Sequence, residues 1–563
     1  MHSYLFKRAL IGALGLVSSL AIAAPQVTLS DGVHVTGQSE HAVESFLGIP
    51  YAKAPVGGRR WQVAQLDKLP AGTFNATHEG AICPQYHNDQ YIGQENCLNL
   101  DIYRPATHSH ALPVLVYVHG GNNQGGKAHE FDPTELAKAL NAVVVQINYR
   151  LGVLGFNPLK AIKTSNPAQA SGNFGLLDQR TALKWVHQHI KAFGGDPSQV
   201  TVAGFSAGGR DVMAMLISPL FKGAFQRAIV FSGGMTTAPV AASQKIFINA
   251  LAPLVVKDKM KPDLAAAKTW LAQGDQAVRK YLMKLPASRL AALMTNAGIR
   301  MSAFPHLYRD GYVLPKKGFK TTHYNAVPVI MLSGQTEFSF FALGDPHFAK
   351  AWHDGTLLKT PSLLQQYRFV YHYGGQLYSL FNVQRSAERM YPHYPAPIYG
   401  TEVALGRNNY VTPGATMSLL GAFHGVFMPL LDHHWNQKLL GKAFQRAGAL
   451  DLSAHFRQYL AAFIRHGNPN RAAQQPKWLR WSPQHQQQGQ SLMILNANQY
   501  KAVMTMSAKT YNEKELIAAM KQDHSLPQAT KMELIHTVLN GRWFSDELDR
   551  AFHSPSLWPA AKQ

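Results

Sequence analysis

Apolar and β-branched runs punctuate the chain at residues 112–118, 200–203 and 327–332, and each ends at a glycine-bearing turn. Runs of this length, rich in valine, leucine and isoleucine, predict strands buried on both faces. After the second run the spacing predicts a helix over 207–217. Strands that feed helices in this way predict an α/β fold, a mostly parallel twisted sheet with helices on both faces. The stretch 235–395 is helical, rich in lysine and tyrosine and less regularly patterned, and reads as a cap or lid region. Residues 9–22 form an apolar run of another kind. They carry no charge, follow Lys7 and Arg8, and end at Ala21-Ile22-Ala23. That is the layout of a signal peptide over 1–23. It is too short to span a bilayer comfortably, and no later segment reads as long enough. The expectation is an exported, periplasmic or secreted protein with one domain over 24–563, since no linker, repeat or charge block divides it.

Composition changes this picture in two ways. The 563 residues contain two cysteines, Cys83 and Cys97. In an oxidising compartment an isolated pair reads as one disulfide, with two buried thiols as the alternative. The net charge of +22 is large, but the basic residues are dispersed and no nucleic-acid motif accompanies them. The field favours encounter with anionic surfaces such as lipid headgroups. Oligomeric state is not legible.

The turns carry the chemistry. Gly204-Phe205-Ser206-Ala207-Gly208 places a serine between a strand and a helix, the context of a nucleophile elbow. His119-Gly120-Gly121-Asn122 follows the first strand, as does the turn whose backbone N–H groups stabilise an oxyanion, worth about 2.7–4 kcal/mol each. Gly121 to Lys127 also imitates a phosphate-binding loop, but the next residue is Ala128, which has no hydroxyl for magnesium. A serine needs a histidine to take its proton and a carboxylate to orient that histidine, in chain order Ser, acid, His for this architecture. Glu337, just past the third strand, and His424, in a glycine-flanked apolar loop, are the candidates. No histidine pair has metal-ligand spacing, and neither a metal nor a cofactor is expected.

These stretches resemble the type-B carboxylesterase and cholinesterase family of α/β-hydrolases. The likeness extends to Glu95-Asn96-Cys97-Leu98, with Asn96 and Asn99 as departures, to Asn148-Tyr149-Arg150-Leu151-Gly152, to Gly172–Gln179 and to residues 463–470. It implies Ser206, Glu337 and His424 as the catalytic set and oxyanion donors from the backbone of Gly121, Asn122 and Ala207. It also implies a Cys83–Cys97 disulfide and structural ion pairs Arg60–Glu95 and Arg150–Asp178. The implied activity is hydrolysis of small-molecule or lipid carboxylic esters through an acyl-enzyme. Two other readings remain at this point: an adhesion or binding protein of the same family, and a lipase or phospholipase on anionic membranes. The Cys–Cys loop has no tryptophan, which argues against choline esters.

Three departures matter. Asn122 stands where the family usually has a small residue, so its side chain is expected to narrow the acyl pocket. Phe205 and Phe427 stand where glutamates are usual. The expectation is that these two rings pack together behind the catalytic set.

Overall fold

The computed structural model describes residues 24–554 apart from 88, 108, 295 and 473, so the leader expected over 1–23 lies outside the described residues. Eleven strands form the central sheet: β1 (Gln38–Glu40), β2 (Val43–Pro50), β3 (Asn99–Pro105), β4 (Leu112–Val118), β5 (Val143–Ile147), β6 (Gly195–Phe205), β7 (Arg227–Phe231), β8 (Val329–Gly334), β9 (Ile398–Val403), β10 (Leu492–Ala497) and β11 (Ala502–Met506). Their spatial order is β11-β10-β9-β8-β7-β6-β4-β5-β3-β2-β1. The strands from β5 through β10 pair in parallel, and the two flanks are antiparallel.

The apolar runs become fully buried strands because both faces are covered. Along β4, Val114, Val116 and Val118 join one core while Leu115 and Tyr117 join the other. β6 begins five residues before the apolar run predicts. Gly195 pairs with Leu112, and the register then slips so that Val200 meets Val114. The slip accommodates Asp196-Pro197, which cannot continue a regular ladder.

The sheet order positions the site. After β4 the chain goes to β5 on one side, then crosses to β6 on the other. Ligands of open α/β sheets bind at such a reversal, outside the carboxyl ends of the strands. Here the two carboxyl ends are Val118 and Phe205, with Gly204 paired to Val118. The turn after β4 therefore lies against the turn after β6.

Within 235–395, β8 is an integral strand of the sheet. The helix Val240–Lys257 sends Phe247, Leu251 and Val255 into one core, and the helix Pro361–Asn382 sends Tyr367, Val370 and Tyr378 into the other. Val240–Lys257 is long and apolar enough to pass a bilayer length test, which the sequence reading did not anticipate. Its buried stripe and internal Pro253 fit a helix packed on a core.

Candidate active site

Ser206 caps the helix α1 (Ala207–Ile217) directly behind β6, with φ +54° and ψ −115°. A side-chain-bearing residue with positive φ is strained. The strain is held by the backbone, since Ser206 N–H donates to Phe231 O at 2.8 Å and Ser206 O accepts from Arg210 N–H at 2.9 Å. Gly204 and Gly208 permit the close passage: a Cβ on Gly204 would strike Gly208 O, and one on Gly208 would strike Val118 O.

Glu337 lies just beyond β8 and is fully buried. Its Oε2 meets His424 Nδ1 at 2.5 Å, while Oε1 accepts from Ser232 Oγ and Gly334 N–H, each at 2.5 Å. The carboxylate so fixed selects the His424 tautomer that carries its proton on Nδ1. His424 Nε2 is left buried without a hydrogen-bond partner. The imidazole sits among rings: Phe205 at 4.8 Å, Phe341 at 4.9 Å and Tyr378 at 5.7 Å between centroids. The structure thus joins Glu337 to His424 and sets Phe205, the neighbour of Ser206, against the imidazole. A bond from Ser206 to His424 is not formed in this state. Catalytic contacts of this kind often tighten only when substrate binds.

Gly121 and Asn122 lie in the turn after β4, and Ala207 is the first residue of α1. None of their backbone N–H groups donates to an acceptor among the described residues. Gly121 has φ +95°, and Asn122 and Asn123 both have φ +56°. Asparagine tolerates this region. The Asn122 side chain donates to Asn296 Oδ1 at 3.0 Å. The turn is braced from below. Asn123 Nδ2 donates to Asp211 Oδ1 at 3.0 Å, Tyr149 OH to Asn123 Oδ1 at 2.9 Å, and Gln179 Nε2 to Asp211 Oδ2 at 2.6 Å. Gln85 clamps both the N–H and the carbonyl of Gly126, each at 2.8 Å. Glu130 accepts from Gly120 N–H and from Tyr117 OH. The glycines that imitate a phosphate loop are therefore explained by this turn. At Gly126 (φ +110°) any side chain would strike His119.

Burial shapes the charges around the turn. Glu130 and Asp211 are each raised to about 7 by desolvation, opposed by their hydrogen bonds. His119 is lowered to about 4 by burial and stays neutral. Arg210 is lowered to about 9 by burial and stays charged. Among the described residues no cluster of three or more His, Cys, Asp or Glu is placed to hold a metal ion.

The remaining expected pairs also meet. Cys83 and Cys97 are bonded. Arg60 Nε donates to Glu95 Oε2 at 2.7 Å, and Arg150 Nε to Asp178 Oδ2 at 2.8 Å. Phe205 and Phe427 pack edge to face at 5.2 Å. The departure Asn99 is buried and satisfied, donating to Ala81 O and accepting from Asn148 Nδ2. Sequence reasoning missed Ser232, Asp211 and Arg210. Ser232 was findable as a polar residue ending the apolar strand β7, and Arg210 and Asp211 as an adjacent charged pair inside an otherwise apolar helix.

The carboxylesterase family model matches residues 23–359. The para-nitrobenzyl esterase of Bacillus subtilis (strain 168) is 39% identical over 238 residues, covering 40% of this chain and 48% of that protein. The cocaine esterase of Homo sapiens is 39% identical over 246 residues, covering 40% of this chain and 43% of that protein. The chain thus spans about half the length of the curated relatives it matches. A solved carboxylesterase of Geobacillus stearothermophilus superposes with TM-score 0.65 at 26% identity, covering 85% of this chain and 97% of that one. A para-nitrobenzyl (PNB) esterase structure superposes with TM-score 0.63 at 25% identity, covering 87% and 98%.

Proposed function

The chain belongs to the carboxylesterase family, and from that premise we propose that it hydrolyses carboxylic esters through a covalent acyl-enzyme on Ser206. The observation that carries this reading is the state of His424: Nδ1 bonded to Glu337, Nε2 buried and unpaired. An imidazole held so is ready to accept one proton.

Ser206 Oγ attacks the ester carbonyl carbon as its proton passes to His424 Nε2. The tetrahedral oxyanion accepts hydrogen bonds from the backbone N–H groups of Gly121, Asn122 and Ala207, which need no reorganisation to receive it. Glu337 stabilises the imidazolium and does not take its proton. Collapse expels the alcohol, protonated by His424 Nε2. Water then attacks the acyl-enzyme, giving its proton to His424, and the acid leaves as Ser206 regains its hydrogen. The intact Ser206, Glu337 and His424 set favours this reading over a non-catalytic binding role.

The protein acts outside the cytosol on this reading. Support comes from the leader-like residues 1–23 and from the Cys83–Cys97 bond, which persists in oxidising compartments. The net charge of +22 favours approach to anionic surfaces, lipid headgroups included.

The test is turnover of 4-nitrophenyl butyrate by the parent and by Ser206→Ala. The substitution is expected to reduce kcat about a million-fold. Equal rates would overturn the proposal. Mass spectrometry after fluorophosphonate treatment should place the adduct on Ser206.

A further inference from the structure

Arg210 lies one helical turn behind Ser206 and is completely buried. Its Nη1 donates to His306 Nε2 at 2.6 Å, and its Nη2 donates to Thr236 O at 3.1 Å and approaches Met301 Sδ at 3.9 Å. His306 Nδ1 faces Phe304 O at 3.0 Å, so the Nε2 that faces Arg210 is the acceptor nitrogen of a neutral ring. Trp543 covers one face of the guanidinium, with Cζ 3.6 Å from the ring centre. Among the described residues no carboxylate is hydrogen-bonded to Arg210; its neighbour Asp211 acts on it only through space and is turned to Asn123 and Gln179, and Arg210 Nε is buried without a partner. Tyr378 OH and Trp543 Nε1 are buried and unpaired as well. Tyr378 is the ring stacked on His424, and it lies 6.5 Å from Trp543. Three unpaired polar groups thus belong to side chains that adjoin in series, Arg210 on Trp543, Trp543 near Tyr378 and Tyr378 on His424.

A buried cation with no anion bonded to it is costly, and protein interiors rarely leave polar atoms unpaired without reason. The indole occupies a face of the guanidinium, and the in-plane Nε has no protein acceptor. The surroundings point the same way. Phe205 and Phe427 stand where glutamates are usual in the resembled family, which removes two anions from the back of the site. The chain as a whole is strongly cationic, which speeds encounter with anions.

We propose that Arg210 is a specificity-determining residue that binds a carboxylate carried by the ester substrate. This rests on the ester-hydrolase reading of Ser206. The bond is charge-assisted, from Nε to one carboxylate oxygen, with Tyr378 OH and Trp543 Nε1 as further donors. The carboxylate is carried by the acyl chain or by the alcohol, and matched esters distinguish the two.

The first arm compares 4-nitrophenyl hydrogen glutarate with 4-nitrophenyl pentanoate, corrected for spontaneous hydrolysis. The second compares the pentanoate esters of 4-hydroxybenzoate and of methyl 4-hydroxybenzoate. In one arm the parent should favour the anionic ester in kcat/KM, and Arg210→Gln should lower the anionic-to-neutral ratio roughly 10- to 100-fold, the effect of one hydrogen bond to a charged group. Arg210→Lys should retain part of the preference. Ratios unaffected by Arg210→Gln in both arms would overturn the proposal, even if the melting temperature falls, because a purely structural arginine predicts that result. Should Arg210→Gln not fold, inhibition of the parent replaces it. Glutarate inhibiting at least tenfold better than glutaramide supports the site, and equal inhibition overturns it. Neutral esters cleaved in a Ser206-dependent way without any anionic preference would remove this inference alone. Loss of all Ser206-dependent cleavage would remove the reading beneath it.

Discussion

The rings of Phe205 and Phe427 meet edge to face at 5.2 Å, and Phe427 stacks in turn on Phe231 at 4.2 Å with the planes 7° apart. Phe205 also lies against His424. The three phenylalanines form an apolar wall behind His424, and two of them, Phe205 and Phe427, stand where glutamates are usual in the resembled family. Such a wall needs both apolar partners, because a lone glutamate among these rings would have neither water nor a donor.

Phe427→Glu is therefore expected to be strongly destabilising. Phe427 is fully buried, so the change removes a packed ring and buries an unpaired carboxyl, a combined cost of about 3–5 kcal/mol. Thermal unfolding monitored by circular dichroism reads this directly. An unchanged melting temperature would show that the rings contribute no packing.

Ser232→Ala tests the orientation of the acid. Ser232 Oγ is one of two groups that fix Glu337 Oε1, the other being Gly334 N–H. Losing a bond to a charged group corresponds to about 1.5–3 kcal/mol. If Glu337 serves only to orient and stabilise His424, the loss appears as a drop of roughly tenfold or more in kcat with little change in KM. Steady-state kinetics on 4-nitrophenyl butyrate separates the two parameters, and a change confined to KM would contradict the assignment.

The parts of this site visible in the sequence are those in which local sequence and chemistry coincide. Ser206 announces itself because a strand, a tight glycine turn and a helix are contiguous, and the structure gives it the positive φ that such a turn demands. Glu337 and His424 are 87 residues apart, and neither is distinguished by its own surroundings. The strand end before Glu337 and the glycines around His424 made them candidates, and chain order with family resemblance selected them. The brace beneath the turn after β4 was illegible, because Asn123, Tyr149, Gln179 and Asp211 come from four separate segments and meet only through the crossover of the sheet. Arg210 was passed over for the same reason: its partners His306 and Trp543 lie far along the chain, within or beyond the least patterned region.

Removal of the disulfide should affect both stability and turnover. Cys83 and Cys97 close a short loop, whose constraint is worth about 3 kcal/mol on loop-entropy grounds. Gln85, two residues on, donates to Cys83 O at 3.0 Å and clamps Gly126 at the base of the turn after β4, where the proposed oxyanion donors Gly121 and Asn122 lie. Cys83→Ser with Cys97→Ser is expected to lower the melting temperature and to reduce kcat several-fold. A fall in stability with kcat untouched would show that the clamp does not depend on the crosslink.

Asp211 makes stability depend on pH in a predictable direction. Burial raises its carboxyl from 3.8 to about 7 in the folded protein. Below about pH 4 both folded and unfolded chains hold the proton, and the group's stabilising contribution is complete. As the pH rises through about 7 the folded state must ionise a buried carboxyl, and that contribution is lost. Asp211→Asn cannot ionise. It can be accommodated by rotation of the Gln179 amide, whose Oε1 is buried without a partner. The difference in unfolding free energy, variant minus parent, should therefore shift in favour of the variant between pH 4 and pH 8, by on the order of 4 kcal/mol. Comparing the two proteins cancels the opposing titrations of Glu130 and His119, which are common to both. Chemical denaturation at several pH values measures this difference, and a gap that stays constant across the range would show that Asp211 keeps an ordinary carboxylate pKa beneath the oxyanion turn.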